Sequence, residues 1–442
     1  MPTRSISCCA LLALPLALLA LPLALLLAPL PAHAQTRKGS IGGADKARPT
    51  LPVVLERVRA GGKPLAAGRT TDLAFLPMEG PQVLVTTRHK KGQLLMWNLE
   101  TGERAVLLTV PNFATAGMEQ GIVAFTFHPN FPEDRRVYTT FDAKGPPAGQ
   151  AAIVEWTVQG AGFPDLTAVN PRELLRLPQP EGGHNAGQVR FGPDGMLYQS
   201  FGDGGFQRDP DRRGQDLSQL YSSIVRIDVD GRSEGLPYGI PADNPFVGRD
   251  GVRPEIWAHG FRNPWRFTFT DDGRLIEADV GQEKNEEINL VVPGGDYGWS
   301  FREGAECFAV TAARKKECEA ACADKELTLL DPIHHYGHGE GTSIIGGVIP
   351  HGSAAPGLAG RFVFGDYASL KLWALELPAP GAQPHVGCSD TPPPALTVHA
   401  LGKFGLAFIS FGLTPEGDVL AGTMGGSVWK LVQAGAQVAA SP

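Results

Sequence analysis

The feature that most limits what this chain can form is a unit of short strands that recurs six times along it. The first three units are DLAFLPMEGPQVLVTTRHKKGQLLMWNL, IVAFTFHPNFPEDRRVYTTFDA with AAIVEWTV, and QVRFGPDGMLYQSFGDGG with SSIVRIDV. The others are WRFTFTDDGRLIEADVGQ with EEINLV, GGVIPHG with GRFVFGDYASLKLWALEL, and FISFGLTPEGDVLAGTMGGSVWKLV. Alternation with period 2, β-branched and aromatic enrichment, and Asp-Gly or Glu-Gly turns mark antiparallel strands. Six such units imply radial repetition, which leaves only short protected edges. The chain is therefore expected to be all-β, a six-bladed β-propeller with four-stranded antiparallel blades, with a pair of β-sandwiches as the alternative. Helical periodicity is nearly absent; its best candidate is AARKKECEAACADKE, inside a cysteine-containing insertion.

The 442-residue chain opens with Arg4, a long Leu/Ala/Pro run and the small-x-small ending PAHAQ. That pattern reads as a cleaved signal peptide over residues 1–34, with an uncleaved membrane anchor as the alternative. Residues 35–50 read as a disordered leader, 51–434 as the propeller and 435–442 as a flexible tail. The protein is expected to be periplasmic or secreted, with no stable membrane insertion once the signal is removed. Of six cysteines, Cys307, Cys318, Cys322 and Cys388 lie beyond the leader. In an oxidising compartment they suggest two disulfides in one of three pairings; a zinc site is the alternative, poorly matched by Cys318-x-x-x-Cys322. A formal net charge of −7 without basic patches argues against a nucleic-acid partner.

Chemistry concentrates in residues 255–304. Arg262 and Asn263 precede Pro264, which biases Asn263 towards an extended or turn conformation. A guanidinium and an amide on a stiff turn suit an anionic oxygen or a planar carbonyl; a surface turn with Arg262 paired to a carboxylate is the plainer alternative. Gly281 and Gln282 precede KNEEIN, where Glu286 and Glu287 bring two carboxylates to a Gly-bent loop of the kind that suits calcium. Upstream, His184 lies in a Gly-flanked loop and Asp203 follows the next hairpin, whose Pro-Asp-Gly turn returns the chain to the same end of the blade. A carboxylate placed there fixes the imidazole tautomer and raises its basicity, as a general base requires; a turn histidine with a capping aspartate is the alternative. Glu119 precedes a strand and is expected to face the same channel or solvent. His334, His335 and His338, in HHYGHG, lack metal-site spacing and read as a plain loop.

Taken in order, FTFHPNF, GGHNAGQVRFGPDGMLYQSFGDGG, QDLSQLYSSIVRID, EIWAHGFRNPWRF, DVGQEKNEEINLV, GGDYGWSFREG and FVFGDYASLKLWAL resemble the soluble glucose/sorbosone dehydrogenase family. The resemblance covers roughly residues 65–432. It implies a six-bladed propeller using pyrroloquinoline quinone (PQQ) and calcium to oxidise the C1 hydroxyl of an aldose, with a small sugar as substrate and an external electron acceptor. His184 matches the family's general base and Asp203 the carboxylate that orients it. Arg262 and Asn263 match the pair over the quinone oxygens, and Glu119 stands where a cofactor-contacting glutamine is usual. The carbonyls of Gly281 and Gln282 match the cofactor-bridging calcium site; Glu286, Glu287 and Tyr297 fall on the segment that holds a structural calcium. Basic residues expected for the cofactor are replaced by Ala368, Ala407 and Ile409, with Lys371 or Lys403 as candidate substitutes, and Gly183 replaces an acidic residue. The GGDYGW, FGDY and cysteine pattern is also similar to hedgehog-interacting-protein-like propellers, which implies a cofactor-free glycan- or protein-binding face as the alternative function.

Overall fold

The computed structural model describes residues 36–40, 47–185, 187–389 and 391–435. The expected signal peptide and residues 436–442 of the expected tail lie outside the described residues. Six sheets stand around one axis, each antiparallel, and the first five run outward in chain order from the innermost strand. Blade 1 runs from Leu73–Phe75 to Arg104–Thr109, blade 2 from Ile122–Phe127 to Thr167–Pro178, and blade 3 from Val189–Phe191 to Ile256–His259. Blade 4 runs from Pro264–Phe269 to His334–Gly337, and blade 5 from Ile344–Val348 to Val398–Lys403. The innermost strand of each blade packs against its neighbours in the ring.

Blade 6 closes the circle. Its inner strands Phe408–Leu413, Val419–Thr423 and Val428–Gln433 come from the C-terminal end, and its fourth, Val53–Arg57, comes from the N-terminal end. Leu55 stands opposite Leu431 in that pairing. A fifth strand, Thr36–Lys38, adds to the outside within the stretch expected to be a disordered leader; the open edge of Val53–Arg57 offers its backbone a ladder. HHYG, expected to be a loop, is the outer strand of blade 4.

Central strands are flanked by blades on both sides, so they read as apolar runs rather than strict alternation. In Val83–Arg88 every residue but the last is buried, and all of Leu197–Phe201 is. Leu94, Met96, Val137 and Trp156 fill the space between blades 1 and 2, and Ile276, Ile288, Phe364 and Trp373 that between blades 4 and 5. Each such side chain contributes about 1.5–3 kcal/mol of burial free energy. The cysteine-containing insertion interrupts blade 4. It holds the hairpin Arg302–Glu303 with Glu306–Cys307 and the helix Ala312–Ala323, whose Thr311 side chain caps the Arg314 N–H. The cysteines pair as Cys307–Cys318 and Cys322–Cys388, which removes the zinc alternative. No helix among the described residues is long and apolar enough to cross a membrane.

Candidate active site

Every innermost strand starts at the same face of the ring. The connection entering it and the loop between the blade's second and third strands therefore open on that face. Glu119, His184 and Arg262 lie on entering connections; Asp203 and Gly281 lie on second-to-third-strand loops. All of them meet at one axial mouth.

The hairpin from Val189–Phe191 to Leu197–Phe201 returns the chain as expected. His184 Nδ1 is 2.8 Å from Asp203 Oδ1. Asp203 is buried and also accepts from Trp299 Nε1 at 3.0 Å and from the Gly205 N–H at 3.0 Å. Burial alone would raise its carboxyl, but the His184 ring and the Arg262 charge outweigh that and hold it below its ordinary range. With Asp203 taking the Nδ1 proton, Nε2 is the basic nitrogen, and it lies 3.2 Å from Arg262 Nη2. The approach depends on Gly202, where a Cβ would lie 2.6 Å from the His184 carbonyl oxygen and 3.0 Å from that of Arg262. His184 itself sits at φ +52°, and its N–H donates to Glu119 Oε2 at 2.6 Å.

Arg262 and Asn263 are fixed from below: their N–H groups donate to Asp279 Oδ2 and Oδ1 at 2.7 and 2.6 Å. The guanidinium Nη1 donates to the carbonyls of Val280 (2.7 Å) and Gly281, and Nε to Gln282 Oε1 at 3.3 Å. A positive group thus already occupies the Gly281 carbonyl. A calcium bridging the Gly281 and Gln282 carbonyls would share the Gly281 oxygen with that guanidinium.

The expected second cation set also divides. KNEEIN is no loop: Asn285–Val291 is the third strand of blade 4, so Glu286 and Glu287 face opposite sides. Glu286 accepts from His338 Nε2 at 2.9 Å and from the Ile344 N–H at 2.9 Å. The Tyr297 hydroxyl donates to the Leu290 carbonyl at 2.6 Å, and its ring stacks on Phe261 with centroids 4.8 Å apart. Glu286 thus points away from Glu287. Glu287 stands opposite Asp279, and Glu277 opposite Asn289, all buried on one face. Burial pushes the Glu277, Asp279 and Glu287 carboxyls upward. Glu277 Oε1 and Asn289 Oδ1 are buried without partners. This face, with Glu287 in it, has the oxygen-rich character that fits a structural calcium.

The mouth encloses a cavity of about 440 Å³, within the range of small-molecule sites. Trp265, Ile345, Ile409 and Met424 give it apolar walls, while Glu119, His184, Arg262 and Asn263 give it polar ones. Ile409, a position where the resemblance implies a basic residue, lines it; Lys371 and Lys403 are not among its lining residues. Two cationic positions were missed: Arg69, in the polar turn GRTTD, and His338, whose Glu286 hydrogen bond first of all raises its proton affinity. Trp299, which holds Asp203 and lies 5.8 Å beneath the Arg262 guanidinium, was missed as well. Apolar walls around a cation-bearing rim fit a planar, anionic group such as PQQ.

The family described as glucose/sorbosone dehydrogenase matches residues 69–385. HIPL1 protein of Arabidopsis thaliana is 33% identical over 315 residues, covering 59% of this chain and 45% of that protein. Quinoprotein glucose dehydrogenase B of Acinetobacter calcoaceticus is 29% identical over 235 residues, covering 48% and 47%. The chain thus spans about half the length of the curated relatives it matches. The PQQ-bound aldose sugar dehydrogenase structure from Streptomyces coelicolor gives a TM-score of 0.62 at 19% identity, covering 87% of this chain and 99% of that one. At that identity the likeness concerns the fold.

Proposed function

The chain belongs to the glucose/sorbosone dehydrogenase family, and on that premise we propose that it is an exported oxidoreductase that oxidises the C1 hydroxyl of an aldose to the lactone. The observation that carries this reading is one imidazole held between a buried carboxylate and a guanidinium at the mouth of an axial cavity. His184 Nε2 accepts the proton of the anomeric hydroxyl. Asp203 keeps the other nitrogen protonated and stabilises the imidazolium that results; Trp299 keeps Asp203 in place. PQQ, when bound, supplies the two-electron acceptor for the C1 hydride. Arg262 and Asn263 would hold its quinone oxygens, where positive charge and N–H donors favour the reduced form. An external electron acceptor completes turnover. Calcium belongs to this reading at the Glu287 face, with Glu277 and Asn289. Export is read from the signal peptide expected over residues 1–34 and from the disulfides.

The test is reconstitution of the purified protein with PQQ and calcium, followed by dye reduction with a panel of aldoses. Reduction that needs sugar and cofactor together supports the reading; none with any aldose at saturating PQQ contradicts it. A second reading, a cofactor-free propeller that binds a glycan or protein on the same face, is favoured by the guanidinium on the Gly281 carbonyl and by Ala368, Ala407 and Ile409. Titration calorimetry separates the two, because micromolar or tighter PQQ binding excludes it.

A further inference from the structure

We propose that Arg69 and Arg262 are the two poles of an anion clamp across the axis, and that Arg69 takes over the carboxylate-pairing role of the basic residues absent at Ala368, Ala407 and Ile409. The inference rests on the cofactor reading above and assigns this chain's own residues to it. Arg69 enters blade 1 and Arg262 enters blade 4, which stand opposite each other in a six-membered ring. Both line the same cavity. A flat polycarboxylate lying between them meets a guanidinium at each end, a geometry that a fork of N–H donors suits better than a lysine would.

The two arginines differ in what already engages them. Arg262 is held by the Val280 and Gly281 carbonyls and by Gln282. Arg69 Nη1 donates to the Met118 carbonyl at 2.9 Å, while its buried Nε has no partner. Among the described residues no carboxylate pairs with Arg69. Burial lowers its proton affinity and the nearby Tyr367 and Glu119 oppose that; an arginine stays charged throughout. A partly desolvated cation with unspent donors, facing a cavity, is a ready partner for an anion. The bland alternative is that Arg69 only braces the loop bearing Met118 and Glu119.

The experiment measures PQQ affinity by calorimetry for the wild type, Arg69→Gln, Arg69→Lys and, as a control away from the cavity, Lys403→Gln, at low and high salt, with Tm recorded for each. The clamp predicts that Arg69→Gln binds about 10–100-fold more weakly, with a shallower salt dependence. Arg69→Lys should lose less, and Lys403→Gln should match the wild type. Equal affinity of Arg69→Gln and wild type overturns the clamp while leaving the sugar-oxidation reading intact. Equal losses in Arg69→Gln and Arg69→Lys with a matching drop in Tm show a brace and overturn it too. If the wild type binds no PQQ, the sugar-oxidation reading fails. The clamp is then decided by pyridine-2,4,6-tricarboxylate, which has the flat polyanionic shape and no quinone: binding that depends on Arg69 supports it, and no binding overturns it.

Discussion

Arg262 Nη2 lies 3.2 Å from His184 Nε2, although the two residues are 78 positions apart and enter different blades. With Nδ1 committed to Asp203, the basic nitrogen of His184 is the one that accepts from the guanidinium. The base and the charge that would hold a cofactor are one hydrogen-bonded unit, so removing either member should change the other's behaviour.

Asp203→Asn is the most direct probe of that unit. An amide can stay hydrogen-bonded to Nδ1 but lacks the charge that stabilises the imidazolium. Sugar-dependent dye reduction should fall by about 10²–10⁴-fold, with PQQ affinity within a few-fold of wild type.

Trp299→Phe removes the indole N–H from Asp203 Oδ2 and leaves a buried acceptor unpaired. Such an orphan costs about 1–3 kcal/mol, so the urea midpoint should drop. The rate should drop more than KM rises, because the carboxylate is no longer held in one rotamer. Phe308, 4.8 Å from the Trp299 ring and next to Cys307, ties this position to the insertion.

The two disulfides should differ in worth. Cys322–Cys388 closes a separation of 66 residues and Cys307–Cys318 one of 11. Loop-closure entropy alone assigns about 4 kcal/mol to the longer and about 3 kcal/mol to the shorter. Thermal unfolding of the two Cys→Ser pairs, each with both partners replaced, should rank them in that order.

Buried His89 and half-buried His334 should each make the fold more sensitive to acid, against Asp279 and Glu287, whose raised carboxyl pKa values act in the opposite sense. His89 is pushed down to about 3, by burial first and then by the Arg69 charge; His334 is pushed down to about 4, by burial first and then by His335. The unfolded chain protonates both near about 6.5. Above that pH their contribution is complete; as pH falls below it the unfolded state takes up protons the folded state refuses. That contribution should then decline by about 1.4 kcal/mol per pH unit for each histidine until its folded pKa is reached. Urea unfolding of wild type and His89→Gln between pH 7.5 and 4.5 checks this: the slopes of the two proteins should differ by about one proton.

The blades were legible because alternation and Asp-Gly turns are local signals, and the His184–Asp203 pair because one hairpin joins its members. What required distant chain was not. Val53–Arg57 closes blade 6 through a pairing with Val428–Gln433 that no local pattern announces. Glu286 and Glu287 looked like one acidic loop because they follow a Gly-bent turn and a polar Lys-Asn pair, yet strand geometry sends them to opposite faces. Arg69 sits in a polar turn with no aromatic or proline frame, and only ring topology sets it opposite Arg262. His338 read as loop filler because its partner Glu286 is 52 residues away.

The central claim is that His184 removes the sugar's proton in a cavity that also holds the cofactor. Anaerobic addition of aldose to PQQ-loaded protein, followed by the absorbance of the bound quinone, tests it most directly. The wild type should bleach within turnover time, and His184→Asn, loaded to the same occupancy, should bleach at least about a hundredfold more slowly. Equal bleaching in the two proteins, or none in the loaded wild type with any aldose, would contradict the account.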